Sequence, residues 1–113
     1  MSNNNPTLVD KKCLACDSDT QALDHEAVNI YLPQLKNTWQ VIDNKKIAHI
    51  FKFSNFKEAI HFVDEIAELA EKEGHHPDIE INYNQVRIIL WTHKINGLSE
   101  NDFILAAKIE NLK

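Results

Sequence analysis

Residues 71–94 read EKEGHHPDIEINYNQVRIILWTHK, and the architecture turns on this stretch. A helix ends in its first residues. Gly74 is the residue type expected just past a helix C-terminus, and Pro77, three positions on, blocks any continuation. Two alternating runs follow, Ile79-Ile81-Tyr83 and Val86-Ile88-Leu90, separated by Asn84-Gln85. Period-two alternation on either side of a polar pair is the pattern of a β-hairpin. A two-residue loop at Asn84-Gln85 pairs Ile81 with Ile88 and sets His76 opposite His93.

On the N-terminal side, Phe56, Ala59, Ile60, Val63, Ile66, Ala67 and Ala70 form an apolar stripe at helical spacing, with Ser54 or Asn55 as its cap. Before it, residues 38–42 and 47–53 read as strands joined by the turn residues Asp43-Asn44-Lys45-Lys46. Asp24 caps a first helix carrying Val28, Tyr31, Leu32 and Leu35, which Pro33 stops or kinks. On the C-terminal side, Gly97 breaks the chain. Ser99-Glu100-Asn101-Asp102 has the form of a capping box, and a last helix carries Phe103, Ile104, Ala106, Ala107, Ile109 and Leu112. The order α-β-β-α-β-β-α predicts an α+β fold, a four-stranded antiparallel sheet with helices packed on one face. Residues 21–113 are expected to form a single domain, behind a loosely ordered, polar segment 1–20. Exposed sheet edges make self-association, as a homodimer or homotetramer, the expectation.

The totals bound the partners. The chain has 113 residues, 43% of them hydrophobic and 26% charged, enough for one core without staples. The net charge of −5, without blocks of like charge, argues against nucleic-acid and anionic-membrane partners. No apolar run has membrane-spanning length, and the first residues lack a signal-peptide pattern, so a cytoplasmic address is expected. Cys13-x-x-Cys16 is half a zinc site at most and stands outside any strand-to-helix joint, so it reads as structural or incidental.

The hairpin brings His75 and His76 to its open end together with His93, and Asp102 follows on the first turn of the last helix. Imidazole titrates near neutral pH and suits general acid–base catalysis. A carboxylate beside it fixes its tautomer or holds its charged form. Plainer readings stand beside this one: Asp102 as the N3 carboxylate of a cap, and the histidines as solvated turn and strand-end residues. No metal site is expected, because adjacent histidines rarely aim at one ion and the HxH and HxxxH spacings are absent here. Trp91 shares a strand face with His93 and could line a pocket mouth.

Four separated pieces, Gly74-His75-His76-Pro77-Asp78, Tyr83-Asn84-x-Val86, Thr92-His93-Lys94 and Gly97-Leu98-Ser99-x-x-Asp102-Phe103, together resemble the pterin-4a-carbinolamine dehydratase family. The resemblance covers about residues 20–113. Gly74 and Ile79 stand where some members carry an acidic and an aromatic residue. It implies a lyase that dehydrates 4a-hydroxytetrahydropterin to quinonoid dihydropterin in tetrahydrobiopterin recycling, with no metal or organic cofactor. It implies His75 and His93 as the acid/base groups, with Asp102 supporting them. His76, Pro77, Thr92, Lys94 and Glu71 would complete the substrate site. The rival reading is a non-catalytic protein-binding or dimerisation module on the same fold.

Overall fold

The computed structural model describes residues 7–14 and 20–113. Helix α1 (His25–Tyr31) begins where the Asp24 carboxylate accepts the Ala27 N–H at 2.9 Å. Pro33 ends it, and Leu32–Gln34 continue as one 3-10 turn. Strands β1 (Gln40–Ile42) and β2 (Lys46–Lys52) pair antiparallel around a turn in which Asp43 and Asn44 both take positive φ. Two successive positive-φ residues are the hairpin turn that matches strand twist, and Asn and Asp tolerate it best after Gly.

Helix α2 (Phe56–Glu73) is capped by Asn55, whose Oδ1 accepts the Glu58 N–H, and closed by Gly74 at φ +68. Its buried face is Ala59, Phe62, Ile66 and Ala70. Two residues of the expected stripe, Phe56 and Ala67, are exposed instead, and Phe62 takes the central place. Phe62 packs between Phe51 and Phe53 at ring separations of 5.0 and 4.9 Å.

Strands β3 (Asp78–Asn82) and β4 (Gln85–Leu90) form the second hairpin. Its turn is Tyr83-Asn84, one residue earlier than expected, so Ile81 pairs with Val86 and Ile79 with Ile88. The anticipated pairing of Ile81 with Ile88, and with it the alignment of His76 opposite His93, does not occur. A tertiary contact holds the turn there. Asn84 accepts the Phe53 N–H on its backbone oxygen and donates its side-chain amide to the Phe53 carbonyl. The slip moves each partner by two residues, so the apolar set keeps its face.

All strands are antiparallel in the order β1-β2-β4-β3. Central β4 buries Val86, Ile88 and Leu90 completely, beside Ile47 and Phe51 of β2, in one cluster with the helices. The fold is therefore the α+β arrangement read from the sequence. Helix α3 (Glu100–Glu110) is buried at every position from Asn101 to Glu110 except Lys108. A helix enclosed all round has partners on all sides. Besides α2, α3 contacts the 3-10 turn Leu8–Asp10. The described part of the N-terminal segment thus packs against the domain, with Leu8 and Cys13 in the core. No described helix is long and apolar enough to cross a membrane.

Candidate active site

Three chain segments meet at one end of the sheet. The left-handed Gly74 reverses the chain out of α2, and His75, His76 and Pro77 form the short bridge into β3. At the end of β4, Thr92 and Gly97 exchange backbone hydrogen bonds and enclose a 3-10 turn, His93–Ile95, that lifts His93 and Lys94 to the rim. Gly97 is required there: a Cβ on it would lie 2.6 Å from the Ala22 side chain. Helix α3 begins directly behind.

A pocket of about 440 Å³ opens between these segments, with His75, His76, Pro77, Thr92, His93 and Lys94 on its walls. Asp102 and Glu71 are not on the walls: Asp102 stands behind them, and Glu71 lies at the exposed edge beside His76. Asp102 is 0% exposed, and its Oδ1 lies 2.6 Å from His75 Nε2. Its Oδ2 accepts the Ser99 N–H and the Thr92 hydroxyl, both at 2.9 Å. When Asp102 is ionised it only accepts, and His75 then donates from Nε2 and the Thr92 hydroxyl donates to Oδ2. The 2.7 Å contact between Thr92 and Ser99 then has the Ser99 hydroxyl as donor. The capping box holds: one Asp102 oxygen serves the helix start and the other serves the histidine.

His76 is paired with Glu71 through its Nε2 at the exposed edge. The His93 ring lies against the Trp91 indole, centroids 3.9 Å apart. Trp91 is itself fixed on two sides, its N–H donating to Asp78 Oδ2 at 3.1 Å and the Lys46 ammonium lying 4.4 Å from its ring centroid. The stack orients an otherwise exposed imidazole.

Sequence reasoning missed Leu14, Asp78 and Asn101, which also line the pocket. Asn101 stood inside the capping box but carried no signal of its own, and nothing in periodicity marks Leu14. The Cys13–Cys16 pair can be followed only at Cys13, because Cys16 lies outside the described residues. The Cys13 thiol is buried and pushed up to about 12, first by burial and then by the neighbouring Glu73 carboxylate, so it stays protonated and unreactive. Among the described residues no three His, Cys, Asp or Glu side chains group as a metal site.

Residues 21–112 match the family model described as pterin 4 alpha carbinolamine dehydratase. A provisionally named pterin-4-alpha-carbinolamine dehydratase of Alkaliphilus metalliredigens is 47% identical over 103 residues, covering 91% of this chain and 93% of that one. A crystal structure described as transcriptional coactivator/pterin dehydratase, from Brucella melitensis, is 35% identical with a TM-score of 0.75, covering 81% of this chain and 98% of that one. A pterin dehydratase-like protein described as a RuBisCO assembly factor of the alpha-carboxysome is 24% identical with a TM-score of 0.59, over 68% of this chain and 90% of that one, and shows the fold alone. With the family model matching residues 21–112 and a relative 47% identical over 91% of the chain, the chain belongs to the pterin 4 alpha carbinolamine dehydratase family.

Proposed function

We propose that the protein dehydrates 4a-hydroxytetrahydropterins, with His75 and His93 as the proton-transfer groups. The observation that carries this reading is the convergence of three imidazoles on one pocket, one of them backed by a buried carboxylate. In the reaction the C4a–O bond breaks, the departing hydroxyl takes a proton and leaves as water, and N5 gives up its proton as the C4a=N5 bond forms. One imidazole donates and the other accepts, general acid–base catalysis worth roughly 10²–10⁴-fold. Asp102 acts through His75 by fixing its tautomer and its ring plane. His76 and Lys94 supply polar contacts for the ring, Pro77 and Trp91 apolar ones, and Glu71 steadies His76.

The test is the dehydration of freshly generated 4a-hydroxytetrahydropterin followed against the spontaneous rate. The wild-type protein accelerates it, and His93→Ala loses most of that acceleration while its far-UV circular dichroism is unchanged. Wild type that fails to exceed the spontaneous rate turns the assignment toward a binding module on the same fold. A His93→Ala variant with full activity removes the mechanism.

A further inference from the structure

The N-terminal segment reaches the pocket at Leu14. Leu14 lines it and is itself 73% exposed. Its backbone is held on both sides by one amide: the Leu14 N–H donates to Asn101 Oδ1 at 2.9 Å, and Asn101 Nδ2 donates to the Leu14 carbonyl at 2.5 Å. Asn101 is buried on the first turn of α3, next to Asp102. The residue before Leu14 is tied as well. The Cys13 N–H donates to Glu73 Oε1 at 2.9 Å, and its thiol lies 3.6 Å from the Asn101 carbonyl. One helical turn therefore anchors both His75, through Asp102, and Leu14, through Asn101.

Single exposed leucines are ordinary on protein surfaces. This one differs in that its backbone is fixed and it lines a pocket of mixed polar and apolar character, together with Pro77 and Trp91. A flat heterocycle needs apolar surface against its faces as well as polar groups at its edges. Contact surface held in place before binding costs no ordering when the ligand arrives. The family match begins at residue 21, so Leu14 lies outside the matched residues and Asn101 inside them.

We infer that Leu14 is a substrate-contacting residue, its isobutyl group covering part of the heterocycle bound among the histidines, and that Asn101 is the residue that positions it. The inference rests on the pterin reading of the pocket but not on turnover. It is tested with Leu14→Ala, Leu14→Met and Asn101→Ala, by dehydration kinetics and by fluorescence titration with biopterin, a stable oxidised pterin. Leu14→Ala raises KM and the biopterin Kd about five-fold, the loss expected for part of a leucine's burial. Leu14→Met restores both to within about two-fold. The Leu14→Ala melting temperature does not move, because the side chain is in water without ligand. Asn101→Ala raises Kd by a similar factor and also lowers the melting temperature.

Wild type that turns over substrate while Leu14→Ala keeps its KM and Kd overturns the contact and leaves the enzyme standing. Wild type that binds biopterin, shows the Leu14 effect, and does not accelerate dehydration keeps the contact and removes the enzyme. Wild type that binds no pterin overturns both.

Discussion

Asp102 is closed off from solvent, and its two oxygens meet partners from three parts of the chain: His75, Thr92 and the Ser99 backbone. Replacing it with asparagine tests how much the arrangement depends on an acceptor-only group. The oxygen of the introduced amide can still accept from Ser99 and Thr92, but its NH₂ then points at His75 Nε2 and forces the proton onto Nδ1. Asp102→Asn is expected to lower kcat by about 10²–10⁴-fold through the wrong tautomer. It should cost only about 1–3 kcal/mol of stability, because two of the three hydrogen bonds survive. Steady-state kinetics with ¹⁵N NMR of the His75 ring separates the effects, and unchanged turnover with a switched tautomer would rule out the orienting role. The residues of this site were legible to unequal degrees. The Ser99-to-Asp102 spacing announced the cap, and cap and histidine partner then looked like rival readings. They are compatible because the cap uses one carboxylate oxygen and leaves the other. Leu14 and Asn101 were illegible because their pairing spans 87 positions and follows no period.

Local rules held for the elements wherever the deciding contacts were local. Asn55, Gly74 and the Ser99 box start and stop helices as their residue types require. The rules failed where a distant contact decided. The second hairpin turns at Tyr83-Asn84, with Tyr83 at φ 52, a conformation that costs a bulky residue energy and that no local signal would choose. The tie between Asn84 and Phe53 compensates, and Phe53 belongs to a different hairpin. Likewise Phe62 replaced Phe56 on the buried face of α2 because the aromatic pair Phe51 and Phe53 faces it. The two glycines divide by the same distinction between local and distant causes. Gly74 has positive φ but open space where a Cβ would go, so Gly74→Ala meets only backbone strain, about 1 kcal/mol. Gly97→Ala must displace Ala22, and the Leu23-to-Leu98 hydrogen bond beside it, at a cost of about 2–4 kcal/mol. Urea denaturation of both variants measures the difference, and an equal loss would show that the Ala22 contact yields freely.

For the molecule as a whole, residues 7–14 close the domain on the side of α3, and two buried or half-buried carboxylates secure them. Glu100 binds the Lys11 ammonium at 2.8 Å and the Tyr31 hydroxyl at 2.9 Å. Glu73 binds Lys108 at 2.7 Å and the Cys13 N–H at 2.9 Å. Burial works against ionised Glu73, but the hydrogen bonds from Lys108 and Cys13 outweigh it and hold its carboxyl below the ordinary value of 4.5. Glu100 is held low chiefly by Lys11. A lowered carboxylate binds its proton more weakly in the folded chain than in the unfolded one. Its contribution is therefore complete above about pH 4.5 and is lost as pH falls through the lower folded value. Cys13 has the opposite sign: its thiol is raised from 9.0 to about 12, so its contribution is complete below pH 9 and fades only on the alkaline side. Between about pH 3 and 8 it adds no slope, which leaves the carboxylates to act alone. Glu73→Gln keeps the shape and removes the charge. At pH 7 it should be less stable than wild type by about 1–3 kcal/mol, the range for a hydrogen-bonded charged group. That gap should shrink as pH falls below about 4.5, because wild type is then protonated at the same position. Urea unfolding at pH 7, 5 and 3.5 reads the gap directly. A gap that stays constant across those three points would mean that Glu73 holds the segment by shape and hydrogen-bond count, with its charge contributing nothing.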